Sequence, residues 1–133
     1  MRVDGGCHCG RFHYEADIDP ERVGICHCTD CQTLTGSAFR VTVQAPAERF
    51  TISGGEPSIY IKTADSGNKR AHAFCPDCGS PLYAAALENT PTYSLRLGAL
   101  NQRALLTPRR QIWCDRALPW VGEITAIDSA PRG

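Results

Sequence analysis

Cys26-His27-Cys28-Thr29-Asp30-Cys31 is the stretch whose reading decides the fold. Three cysteines fall within it, spaced C-x-C-x-x-C. Outward from it lie two more pairs, Cys7 and Cys9 upstream and Cys75 and Cys78 downstream. Thiolates are strong ligands for borderline metals, and zinc is the commonest metal held by closely spaced cysteines. A pair separated by one or two residues can turn both sulfurs onto one ion. The chain therefore reads as a zinc protein whose fold is closed by metal knuckles.

The seven clustered cysteines divide as two, three and two. A closed structural zinc needs four ligands. The economical solution joins Cys7, Cys9, Cys75 and Cys78 on one ion, which would staple the start of the chain to its middle. In small peptides such a site contributes about 10–16 kcal/mol of folding free energy. Cys26, Cys28 and Cys31 are left with three sulfurs and an open fourth position, the mark of a catalytic zinc. Coordination strips the proton from a thiol, so such an ion suits a sulfur nucleophile that attacks a small carbonyl. Two alternatives stay open on the residues alone. Cys114, His27 or Asp30 closes the second site, or Cys26 and Cys28 share an ion with Cys75 and Cys78.

The 133 residues suit one domain, 1–133, with a core over about residues 5–120. Formal net charge is zero and the pI is about 6.9. That balance argues against nucleic acid or an anionic membrane as the partner. No apolar run approaches the roughly 18 residues of a membrane span. Met1-Arg2-Val3-Asp4-Gly5-Gly6-Cys7 has no apolar h-region. A cytoplasmic location is expected, where thiols stay reduced and disulfides are disfavoured.

The remaining pattern is mainly β. Phe12, Tyr14 and Ala16 alternate with Arg11, His13 and Glu15, as a half-buried strand requires. Val23-Gly24-Ile25 leads into the central cluster as a short strand. Gln32–Thr35 predicts a helical turn stopped by Gly36. Phe39, Val41 and Val43 alternate with Arg40, Thr42 and Gln44. Phe50–Ile52 is short. Residues 59–61 and 71–74 flank a turn at Ser66-Gly67-Asn68. Residues 82–86 and 93–97 predict two more strands, and Pro108–Cys114 a last one.

Gly5-Gly6-Cys7-His8-Cys9-Gly10, the central cluster with Thr35-Gly36, and Phe74-Cys75-Pro76-Asp77-Cys78-Gly79-Ser80 together resemble the glutathione-dependent formaldehyde-activating enzyme family, whose domain also occurs in centromere protein V. Ile112-Trp113 and Pro119-Trp120 extend the resemblance, which runs from about Gly5 to Trp120. It implies an Mss4-like fold of folded antiparallel sheets carrying zinc-binding knuckles. It implies structural zinc at Cys7, Cys9, Cys75 and Cys78, and catalytic zinc at Cys26, Cys28 and Cys31. Two zinc ions per chain are expected, with partial occupancy open for the second. The implied activity is that of a carbon–sulfur lyase, the reversible joining of glutathione, or a similar thiol, to formaldehyde or another small aldehyde. The alternative is a non-catalytic Mss4-like module for protein interaction, with two closed sites and no pocket. Redox chemistry through Cys114 fits less well, because B-type methionine sulfoxide reductases carry C-x-x-C pairs rather than C-x-C.

Glutathione would need cationic partners for its carboxylates, and Arg109-Arg110, Lys69-Arg70 and Arg40 are the candidates. His8 and His27 read as outward-facing or bonded to loop backbone. His13 and His72 read as lying on polar strand faces. Asp30 reads as bonding loop amides, with orientation of a metal-bound group as its alternative. Trp113, Trp120 and Tyr60 read as core, with a pocket wall as theirs.

Overall fold

A computed structural model describes residues 1–133. Ten strands form two sheets. β1 (Arg2–Gly6), β2 (His13–Asp17) and β5 (Phe50–Ser53) make the smaller one, in the order β1-β2-β5. The larger sheet runs β10-β3-β4-β9-β8-β7-β6. Its strands are β3 (Val23–Cys26), β4 (Arg40–Pro46), β6 (Ser58–Thr63), β7 (Lys69–Phe74), β8 (Pro81–Ala86), β9 (Thr92–Arg96) and β10 (Arg110–Ile112). Every pairing is antiparallel except β10 with β3. The protein is mainly β and antiparallel, as its alternating sequence requires. No helix is long and apolar enough to cross a membrane.

The alternation in β2 carries the core. Phe12, Tyr14 and Ala16 are buried, and His13 and Glu15 are exposed. Their buried face meets Val43, Leu82 and Leu95 of the larger sheet. Aromatic packing ties the sheets together on one side. Phe50 of β5 stacks on Tyr93 of β9 at 4.3 Å between ring centroids and meets Tyr83 of β8 edge-on at 5.6 Å. Such pairs add about 0.5–1.5 kcal/mol beyond area burial.

The single α-helix, α1 (Thr29–Thr35), follows β3 directly. Cys28 is its N-cap, with Sγ accepting from the Cys31 amide at 3.3 Å. Gly36 ends it in the left-handed region at φ 62°, where glycine carries no Cβ penalty. The helix is thus a full element of seven residues rather than the single turn read from the sequence.

The last strand departs from expectation. Only residues 110–112 pair, and they do so parallel to β3. After β9 the chain crosses back over the sheet and enters alongside β3, with the Arg109 amide bonded to Val23 O and the His27 amide to Ile112 O. A second correction concerns the aromatics. Tyr60, Trp113 and Trp120 are each more than half exposed. Neither core nor the central cleft takes them, because they sit on an edge strand and on the segment after β10.

Candidate metal centres and the cleft between them

The two cysteine pairs far apart in sequence meet in space. Cys7 and Cys9 occupy the turn between β1 and β2, and Cys75 and Cys78 the turn between β7 and β8. A register shift at Ala73 and Phe74 bends β7 into its turn. The Gly79 amide closes that turn on Cys75 O at 2.8 Å. All four sulfurs lie within 4.8 Å of one another. Cys7 Sγ is 3.5 Å from Cys9 Sγ, which is 3.7 Å from Cys75 Sγ. A tetrahedral zinc with bonds of about 2.3 Å sets its sulfurs ~3.8 Å apart, so the donor set fits that metal. Backbone amides already face these sulfurs, as Phe12 N shows at 3.1 Å from Cys7 Sγ.

Cys26 ends β3, Cys28 caps α1, and Cys31 lies in its first turn. Their sulfurs also lie within 4.8 Å of one another, and no fourth Cys, His, Asp or Glu donor joins them. Cys114, exposed beyond β10, is not in the group, nor are His27 and Asp30. The two sets stay separate as well, so Cys26 and Cys28 do not share a cluster with Cys75 and Cys78.

The electrostatics of both clusters call for a cation. Burial, together with the sulfurs of Cys28 and Cys26, pushes the Cys31 thiol up to about 12. Cys28 falls below its usual value: burial opposes this, but bonds from Cys31 and Cys26 and the charge of Lys62 outweigh it. In the other cluster, hydrogen bonds from Ser80 bring Cys78 down to about 5. Cys9 rises to about 12, because the neighbouring sulfurs outweigh the Arg11 amide that favours its thiolate. Sulfurs this close cannot all be thiolates without a positive ion among them. Two clusters able to hold metal ions are therefore present, one of four donors and one of three.

A cleft of about 780 Å³ runs between them. Cys7, His8 and Ser80 border it at the four-sulfur end. Thr35, Phe39 and Arg40 border it beside the three-sulfur group. Thr35 Oγ1 bonds Cys31 O at 2.7 Å, so this wall is built on the same helix as the cluster. Leu97, Gly98 and Ala99 line the cleft as well. The sulfurs of Cys26, Cys28 and Cys31 adjoin the cleft without lining it.

Several side chains sit elsewhere than the sequence suggested. His27 is buried, at 1 % exposure, rather than outward-facing. Its Nε2 pairs with Gln111 Oε1 at 2.7 Å, Phe39 lies edge-on to its ring, and its Nδ1 has no partner. His72 is half-buried between two arginines rather than on a polar face. Asp30 bonds no loop amide; it pairs with Lys62 Nζ at 3.0 Å. Arg109 pairs with Glu21 at the surface, away from the cleft. Among the sequence candidates for carboxylate partners, only Arg40 lines the cleft. Arg96 lines it too, and sequence reasoning missed it. Tyr93-Ser94-Leu95-Arg96-Leu97 reads as a strand with Arg96 on the same face as Ser94, and nothing local marks that face as buried.

Fold and site define a class: a mainly β protein whose sheets are joined at cysteine knuckles, with a three-sulfur cluster beside an arginine-lined cleft. Residues 2–116 match the model of the glutathione-dependent formaldehyde-activating enzyme family, and the chain belongs to that family. A Schizosaccharomyces pombe (strain 972) protein described as an uncharacterized lyase is 27% identical over 82 residues, which cover 62% of this chain and 56% of that protein. The chain thus spans little more than half the length of that relative. A crystal structure of a Rhodobacter sphaeroides protein superposes with a TM-score of 0.60 at 20% identity, covering 81% of this chain and 98% of the other. That likeness is one of fold.

Proposed function

We propose that the chain, as one domain over residues 1–133, is a zinc-dependent carbon–sulfur lyase acting on the adduct of glutathione, or a similar thiol, with formaldehyde or another small aldehyde. Cys7, Cys9, Cys75 and Cys78 would hold a structural zinc, and Cys26, Cys28 and Cys31 a catalytic one. One observation carries the reading: in a member of this family, a cluster with three protein donors and no fourth stands at the side of a cleft large enough for a tripeptide. The binding-module alternative expects a second closed site and no pocket, so the same observation counts against it.

Bound at the three sulfurs, zinc would supply the positive charge that favours the thiolate form of an incoming sulfur. The chain's own residues do the rest. β3 and α1 fix the three donors on consecutive elements with no long loop between them. Phe39 and Val41 give the cleft apolar surface beside Arg40. Lys62, held by Asp30, places a positive charge near Cys28. In the forward direction the sulfur electron pair forms the carbon–sulfur bond and the carbonyl π pair moves to oxygen. The proton lost from the thiol ends on that oxygen. The lyase direction reverses each transfer.

The test combines metal content with exchange. Purified parent protein is expected to hold about two zinc ions, and a folded Cys28→Ser variant about one. Magnetization exchange between free formaldehyde and its glutathione adduct also runs without enzyme, so the rate is read above that background. The parent should accelerate it at least about a hundredfold more than Cys28→Ser, a typical effect of removing one catalytic group. Equal acceleration by both proteins would sink the assignment.

A further inference from the structure

Arg40 and Arg96 are 7 % and 8 % exposed, both line the cleft, and neither pairs with a carboxylate. Their one shared protein partner is the imidazole of His72. Its Nδ1 lies 3.4 Å from Arg40 Nη1 and 3.2 Å from Arg96 Nη2. A guanidinium only donates, so Nδ1 accepts from both and His72 carries its proton on Nε2. Each arginine keeps a buried Nε without a partner. Arg40 Nη2 and Arg96 Nη1 likewise make no hydrogen bond to the protein. No Asp or Glu is among the lining residues of the cleft, and Arg103 is a third cation there.

Isolated buried charges are costly unless paired. Both guanidiniums lie in the field of the three-sulfur cluster, where Cys31 interacts with each of them.

We propose that Arg40 and Arg96 form an anion site in the cleft that binds a carboxylate, so that the thiol this enzyme handles is one carrying a carboxylate. The sulfur end of that statement rests on the lyase reading above. The anion site does not, and a carboxylate without a thiol is expected to occupy it. The planar fork of arginine suits the two oxygens of a carboxylate, and the roles of the two residues divide naturally. Arg40 sits opposite Cys26 in the β3–β4 register and is the nearer to the metal centre. Arg96, on β9, faces Thr42 in the β4–β9 register and extends the charged wall away from it.

The experiment uses the zinc-loaded protein at constant ionic strength and reads thermal stability against ligand concentration. Propionate should raise Tm saturably in the parent, and propionamide, its neutral analogue, should not. Arg96→Gln should lose the response, and Arg96→Lys should keep part of it. No difference between propionate and propionamide in the parent overturns the anion site without any variant. So does an equal propionate response in Arg96→Gln. By titration calorimetry, 3-mercaptopropionate should bind at least about tenfold tighter than 2-mercaptoethanol, a ratio in keeping with one charge-assisted pair. Should 3-mercaptopropionate bind no tighter than propionate while the Arg96-dependent response persists, the carboxylate site stands and the thiol reading falls.

Discussion

At the scale of single residues, the two cleft arginines share one imidazole. Burial holds His72 down to about 4 from a usual 6.5, helped by Arg96, Arg40, Lys62 and Arg70, and every charged group around it is cationic. A value depressed in the folded state means that the unfolded chain binds more protons between about pH 6.5 and about pH 4. His72 therefore contributes stability that is complete above that window and is lost as the pH falls through it. His72→Gln keeps an acceptor for the two arginines but does not titrate. The fall in Tm between about pH 7 and about pH 5.5 should accordingly be smaller in His72→Gln than in the parent. An equal fall in both would mean that folding leaves the proton affinity of His72 unchanged. Gly5 shows a different residue-scale constraint. It bridges to Leu100, and a Cβ at Gly5 would stand 2.2 Å from Ala99 O, a backbone atom that cannot swing aside. Gly5→Ala is expected to cost about 3 kcal/mol, the upper part of the overpacking range, read as a lower urea midpoint at unchanged slope.

At the scale of elements, β10 adds to the contacts that hold the segment from β3 into α1. Gln111 fixes the buried ring of His27 from β10. Gln32 Nε2, on α1, reaches back to His27 O at 2.8 Å and across to Arg116 O at 3.0 Å. Parallel pairing of β10 with β3 thus positions the loop that carries Cys26, Cys28 and Cys31. Gln111→Ala leaves the His27 ring with no hydrogen bond to the protein. The expected loss is about 1 kcal/mol, or about 3–4 °C in Tm, with a weaker hold on the second metal. Zinc titration against a competing chelator would show that weaker hold as earlier release of one equivalent. Unchanged release would show that the loop is held without the Gln111 side chain.

At the scale of the whole molecule, the four-sulfur cluster joins the two sheets where the chain does not. Cys7 and Cys9 leave the smaller sheet, Cys75 and Cys78 the larger, and Cys75 is wholly buried in the common core. Metal bound at this cluster would add folding free energy, and metal at the three-sulfur cluster beside the cleft would add much less. Cys75→Ser should therefore unfold the protein or drop its Tm by well over about 10 °C, whereas Cys28→Ser should stay folded. Circular dichroism melts of the two variants make the comparison. Equal loss in both would show that the two clusters are alike structural.

The sequence by itself determined the grouping of the cysteines, the family and most of the strands. These are local properties: ligand spacing within a knuckle, a two-residue alternation, a glycine at a helix end. Phe12, Tyr14 and Ala16 could be read as core from their order alone. Tertiary structure decided what depends on which strands lie side by side. The alternation at Arg40 puts it opposite Phe39 and Val41, which suggests a solvated residue. It is instead buried, because β9 and β7 bring Arg96 and His72 against it from far along the chain. Burial of a charge depends on neighbours, and neighbours in a sheet are set by topology rather than by spacing. For the same reason the sulfurs were legible and the cleft between them was not.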